Sequence, residues 1–155
     1  MKKFIVIAIA LFTAAAVYAQ PRAIGGRLGY GLELTYQHTL GNNMLELDFG
    51  LPGFYGLEAA ATYDWIFPIN SWQEQGSWNW YAGVGAGLGM YGFNNIVGFA
   101  GVAGRIGVEY NFWFPMNISL DWRPVIGPHF GNNGAGFNTL GIFQGGIALS
   151  VRYLF

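Results

Sequence analysis

Apolar and polar residues alternate with a period of two through almost the whole chain, and nothing else in the sequence constrains the fold as strongly. In residues 116–123, Met116, Ile118, Leu120 and Trp122 fall on one side of an extended strand, and Asn117, Ser119, Asp121 and Arg123 fall on the other. Leu45, Leu47 and Phe49 oppose Glu46 and Asp48, and Leu57, Ala59, Ala61, Tyr63 and Trp65 oppose Glu58, Thr62 and Asp64. Val102, Ile106, Val108 and Tyr110 oppose Arg105, Gly107 and Glu109; at the end of the chain Ile147, Leu149, Val151, Tyr153 and Phe155 oppose Ala148, Ser150 and Arg152. After the first twenty residues no stretch has a helical period, so the class is all-β.

Those first twenty residues read differently. Met1, Lys2 and Lys3 are followed by an apolar run from Phe4 to Ala16 and by Val17, Tyr18 and Ala19 at a small-x-small cleavage pattern. The run is well short of the roughly 20 residues that a spanning helix needs. The expected organisation is a signal peptide, 1–19, removed near Ala19, and one domain over 20–155. The remaining chain has five arginines against eight acids, a net charge of −3, and no lysine. This balance excludes an electrostatic footprint for nucleic acid, and the lack of cysteine excludes a disulfide scaffold.

Alternation alone does not say which face meets water; composition does. A soluble sandwich needs an outer face rich in Lys, Glu and Thr, whereas here the polar face is mostly Gly, Ala, Asn and Ser, with 25 glycines in 155 residues. Eleven of the thirteen charges after the signal, all but Arg22 and Glu74, sit on that face. Small residues and paired charges suit a narrow barrel interior. The apolar face then meets lipid, where every backbone group must be paired within the protein and a sheet must close on itself.

Closure with both termini on one side calls for an even number of strands. Splitting the run from Arg22 to Thr39 at Gly29, Tyr30 and Gly31 sets Arg27 opposite Glu33 and Leu28 opposite Leu32. The expected fold is therefore an eight-stranded antiparallel up-and-down transmembrane β-barrel, with strands at 22–28, 32–39, 44–51, 55–66, 77–90, 97–111, 116–126 and 139–155. Its outer loops are expected at 52–54, 91–96 and 127–138. Aromatic residues fall at both strand ends. Tyr36, Trp65, Phe67, Trp78, Trp80, Tyr110, Phe112, Trp113, Phe114, Tyr153 and Phe155 mark the end that carries the termini, and Tyr30, Tyr55, Tyr91, Phe93, Phe99, Phe137 and Phe143 mark the other. Rings collect in this way at the two interfaces of a membrane.

Segments such as Ile24-Gly-Gly-Arg-Leu-Gly-Tyr-Gly, Trp80-Tyr-Ala-Gly-Val-Gly-Ala-Gly, Ile106-Gly-Val-Glu-Tyr-Asn-Phe and Ser119-Leu-Asp-Trp-Arg-Pro resemble small outer-membrane β-barrels of the OmpA/OmpX-like kind over residues 20–155. The closing Val151-Arg-Tyr-Leu-Phe resembles the terminal signal read by the barrel-assembly machinery, with Tyr153 and Phe155 as its aromatics. The resemblance implies an integral protein of the bacterial outer membrane whose partners are outer-membrane lipid and, during biogenesis, that machinery. It implies little about activity, because such barrels include scaffolds, adhesins and lipid-modifying enzymes.

Candidate chemistry is sparse. Arg27, Arg105, Arg123 and Arg152 share the interior with Glu33, Glu46, Asp48, Glu58, Asp64, Glu109 and Asp121, an expected charge network in which some acids share hydrogen bonds with Tyr81, Asn117 or Thr35. His38 and His129 have no second ligand at metal spacing, and none of Ser71, Ser77, Ser119 and Ser150 falls beside His129, which is expected in the last outer loop. Gly83, Gly85, Gly87 and Gly89 repeat with strand period, so they do not make a phosphate cradle. Either they admit long side chains from across the barrel or they leave a cavity beside Phe99. No catalytic, cofactor or metal residue is expected. The reading is a structural or surface-interaction barrel, with a lipid-modifying enzyme or a binder of a small hydrophobic molecule as alternatives.

Overall fold

The computed structural model describes residues 22–72, 75–92, 95–131, 134–140 and 146–155, with backbone alone at 138–140. The expected signal peptide, Phe93 and Phe143 lie outside the described residues. Ten β segments are present among those described: β1 (Arg22–Leu28), β2 (Gly31–Leu40), β3 (Asn43–Pro52), β4 (Gly56–Pro68), β5 (Ser77–Tyr91), β6 (Val97–Asn111), β7 (Met116–Trp122), β8 (Val125–Gly131), β9 (Gly134–Leu140) and β10 (Ile147–Leu154). A single 3-10 turn at Asn70–Trp72 joins β4 to β5.

Every pairing is antiparallel, and the order β5-β4-β3-β2-β1-β10-β7-β6 is closed by β5 against β6. The result is an eight-stranded up-and-down barrel, in which β7 with β8 and β9 with β10 each form one wall position. The hairpin at Gly29 and Tyr30 pairs Arg27 with Glu33 and Leu28 with Leu32, the expected register. The seam between first and last strands is β1 on β10, from Ala23 with Leu154 to Leu28 with Leu149. Reciprocal backbone bonds between Arg22 and Phe155 extend it.

The seventh wall position departs from the expected 116–126. β8 runs on to Gly131 along β6, so most of the expected loop 127–138 is a β8–β9 hairpin. Gly127, Pro128, Gly131, Asn132 and Asn133 carry turn chemistry locally, but the outer half of β6 offers a partner and pairing with it prevails. Pro128 has no N–H, and the ladder with β6 is interrupted there. The eighth position also differs from an unbroken 139–155. From the pair Trp122–Ile147 to the pair Val125–Leu140 one chain moves three residues and the other seven. The break sits where Pro124 interrupts β7 and β8, with Gly104 N donating to Pro124 O at 3.0 Å and Arg123 N to Gly146 O at 2.8 Å.

The polarity of the barrel is inverted relative to a soluble domain. Outward positions carry Leu34, Phe49, Leu88, Val102, Leu120 and Ile147, all more than half exposed, whereas Arg27, Glu46, Asp64 and Arg152 are at most 1% exposed. A small apolar cluster of Phe99, Ala103 and Val125, with Tyr91 against it, fills the lumen toward the β5–β6 turn. β5 shows how these strands are specified. Glycine at every second place gives it little intrinsic strand preference, yet it pairs along its length with both β4 and β6.

The aromatic residues stand largely at the two ends as expected. Near the termini Phe67 stacks on Trp80 at 4.3 Å, and Trp78, Tyr110, Phe112 and Phe114 form a continuous run of ring contacts. Tyr30, Tyr55 and Phe137 are exposed at the far end. Phe99 is the exception: it turns into the lumen and stacks on Tyr91 at 5.2 Å.

Candidate functional site: a charged lumen and its vestibule

Alternation along each strand turns the charged residues inward, and closure brings them together. Arg105, from the middle of β6, has both terminal nitrogens committed: Nη1 lies 2.7 Å from Glu46 and 3.1 Å from Asp64, and Nη2 lies 3.1 Å from Asp121. The Tyr81 ring lies beneath its guanidinium, 4.7 Å from the centroid. Arg27 holds Asp121 through Nε and Nη2 and reaches Glu33 with Nη1 at 2.7 Å. Arg123, at the break between β7 and β8, binds Glu33 and Glu58 at 2.9 Å each and also Asp48. Arg152 of β10 binds Glu46 at 2.8 Å and donates to Ser119, Asn117 and Thr35.

These partners follow a spatial rule. The arginines stand on β1, β6, β10 and the β7–β8 break, which are consecutive around the wall, while Glu33, Glu46, Asp48, Glu58 and Asp64 stand on β2, β3 and β4. Of the nine ion pairs among the described residues, only the two made by Asp121 stay within the arginine-bearing half. The rest join the two halves, most of them across the bore. Tyr81 donates to Asp121, Thr35 to Glu46 and Asn117 to Glu109, so each of the three neutral groups named from sequence meets a carboxylate. Gln37, Asn79, Asn111 and Ser119 take part as well, and their inward parity was the available signal for them.

Glu109 stands apart from the arginines. Among the described residues its carboxylate accepts only from amides: Asn79 at 2.9 Å, Asn117 at 3.2 Å and Asn111 at 3.3 Å. It lines a vestibule of about 400 Å³ at the termini end of the bore, together with Arg22, Gln37, Met44 and residues of the β2–β3 turn.

Side chains stand over three of the four alternating glycines of β5, whereas the nearest atoms to a Cβ at Gly85 are backbone atoms of Ala61 and Thr62. A Cβ at Gly83 would lie 2.2 Å from Asp64 Oδ1, one at Gly87 3.2 Å from Val125 Cγ2 and one at Gly89 2.5 Å from Phe99 Cε1. Gly107 gives the same room to Tyr81, whose ring carbon would lie 2.5 Å from a Cβ there. An apolar groove of about 350 Å³ nearby, with Phe49, Leu57, Leu88, Met90 and Phe130 around it, is bordered mainly by outward-facing residues.

His129 lies on β8 rather than in a loop, level with Phe99 and Gly136, and its buried Nδ1 has no hydrogen-bond partner among the described residues. Ser71 and Ser77 are at the opposite end, and Ser119 and Ser150 are buried on β7 and β10. His38 is half-buried beside Arg22 and Leu45 on neighbouring strands. Among the described residues no three His, Cys, Asp or Glu side chains are grouped to hold a metal ion. Tyr153 and Phe155 both lie on the outward face, each more than half exposed. No protein-family model, curated protein or solved structure matches the chain.

Proposed function

We propose that this chain is an integral outer-membrane β-barrel protein of the OmpA/OmpX-like kind, with a structural or surface-interaction role and no enzymatic activity. Residues 1–19 direct its export, the Tyr153 and Phe155 end is read by the barrel-assembly machinery, and the finished wall is solvated by outer-membrane lipid. The observation that carries this reading is the inverted polarity of the closed barrel: a wall of exposed Leu, Ile, Val and aromatic side chains around a bore of buried ion pairs. Keeping one such side chain in water rather than burying it costs about 1.5–3 kcal/mol. A contiguous wall of them is far larger than the apolar patches that soluble monomers expose.

A lumen braced by nine ion pairs among the described residues supports a scaffold rather than a conduit, since aqueous channels belong to wider barrels. The lipid-modifying alternative needs a serine and an acid beside His129, and the four serines stand elsewhere. In this reading the end of the barrel where β3 meets β4, together with the β8–β9 hairpin, faces the cell exterior.

The test is expression in a Gram-negative host followed by membrane fractionation and electrophoresis with and without boiling. The expected outcome is recovery with the outer membrane and faster migration of the unheated form. Recovery as a soluble periplasmic monomer overturns the reading.

A further inference from the structure

We propose that the vestibule at the termini end is a binding site for a small zwitterion, of the class of an α-amino acid with an apolar side chain. The charge network leaves one anion and one cation over. Every described acid buried in the bore has an arginine partner except Glu109, and every described arginine has a carboxylate partner except Arg22. The remaining anion and the remaining cation line the same cavity of about 400 Å³. They are not paired with each other. Glu109 is 5% exposed and held by amides alone, and Arg22 is 9% exposed with a buried Nε that has no hydrogen-bond partner among the described residues.

A buried charge without a counter-charge is unfavourable, so each group favours a ligand of the opposite sign. A simple cation meets Glu109 but is repelled by Arg22, and a simple anion has the reverse difficulty. A molecule that carries both an ammonium and a carboxylate satisfies the two together. The remaining lining fits such a ligand. Gln37, Asn79 and Asn111 supply amide donors and acceptors, and Met44, buried at the floor, offers an adaptable apolar surface for a side chain. The volume lies within the range of small-molecule sites.

The test is titration calorimetry on the full chain folded in a non-ionic detergent, with leucine, N-acetylleucine and leucine methyl ester as probes. Leucine is expected to bind saturably. Acetylation removes the ammonium that faces Glu109 and esterification removes the carboxylate that faces Arg22, so each is expected to weaken binding by about tenfold or more. Glu109→Gln keeps the size of the side chain and an oxygen that accepts from Asn79 and Asn111, and is expected to weaken leucine binding to the same degree, while N-acetylleucine, relieved of the like charge, binds no worse than to the parent. Arg22→Gln is expected to do the same for leucine, while the methyl ester, relieved of repulsion by the guanidinium, binds no worse than to the parent. Absence of saturation by leucine into the tens of millimolar, or equal binding of all three probes, overturns the proposal. The comparison of probes on the unaltered chain stands even if a variant fails to fold. The vestibule belongs to the barrel whatever surrounds it, so this titration and the fractionation test fail independently.

Discussion

At the scale of single residues, side-chain direction was legible in the sequence and side-chain partnership was not. Parity alone places Arg27, Arg105, Arg123 and Arg152 and their seven acids on one face, and the structure turns that face inward. Which arginine meets which acid depends on contacts such as Arg27 with Asp121, ninety-four residues apart, and no local pattern encodes them. By the same limit parity groups Glu109 with the network, although among the described residues amides alone hold it. Replacing Arg105 by Leu leaves Asp64 without an arginine and takes from Glu46 and Asp121 one of the two that each holds. The expected loss is about 3–5 kcal/mol in a urea titration, as for removal of one side of a buried ion pair. Its neighbour Ile106 is half exposed on the outer wall, and Ile106→Leu is expected to stay within about 1.5 kcal/mol of the parent. Equal tolerance of the two substitutions overturns the inside and outside assignment. Gly87 and Val125 form a second testable pair, since a Cβ at Gly87 would press on Val125 Cγ2 at 3.2 Å. Gly87→Val alone is expected to destabilise by about 1–3 kcal/mol through overpacking. Combining it with Val125→Gly, which exchanges the two volumes, is expected to recover part of that loss, seen as a non-additive double-mutant cycle.

Among the elements, the tight hairpins were easier to read than the outer end of the wall. Splitting the first long run at Gly29, Tyr30 and Gly31, rather than leaving it one unbroken strand, sets Arg27 opposite Glu33, and that register is present. The segment from Gly127 to Gly134 has the composition of a loop, but one edge of the outer half of β6 would stand unpaired without it, and β8 takes that place. A pairing demand made by another strand is invisible to local composition. The closing strand carries the clearest prediction at this scale. Phe155 makes two backbone bonds with Arg22, and its ring stands out from the wall, 54% exposed. Phe155→Ala keeps both backbone bonds and removes only the ring, a change expected to cost no more than about 1–2 kcal/mol in micelles because burial is partial. In cells the same variant is expected to assemble poorly, because the ring belongs to the proposed recognition signal. Quantifying the heat-modifiable fraction in membranes beside refolding stability separates the two roles, and equal assembly of parent and variant argues that the signal lies elsewhere.

For the whole molecule, the decisive contacts join parts of the chain that are far apart. Five carboxylates stand on β2, β3 and β4, and three of the four network arginines come from β6 onward. Neither half of the chain can therefore satisfy its own charges. Fragments divided near Gly76 are expected to stay unfolded separately and to give a heat-modifiable complex when refolded together, which electrophoresis of the mixed and single fragments checks. The placement of the ion pairs also has a mechanical side. A hollow tube of eight strands under lateral load can flatten toward an ellipse, because bending a sheet across its strands breaks no ladder. Ties between opposite walls remove that soft mode, since any flattening must lengthen or crush a guanidinium–carboxylate contact. Arg105 and Arg123 each reach three carboxylates on different strands, so they act as hubs from which such ties radiate. The arginines thus set the cross-section of the tube from within, as spokes fix the roundness of a rim.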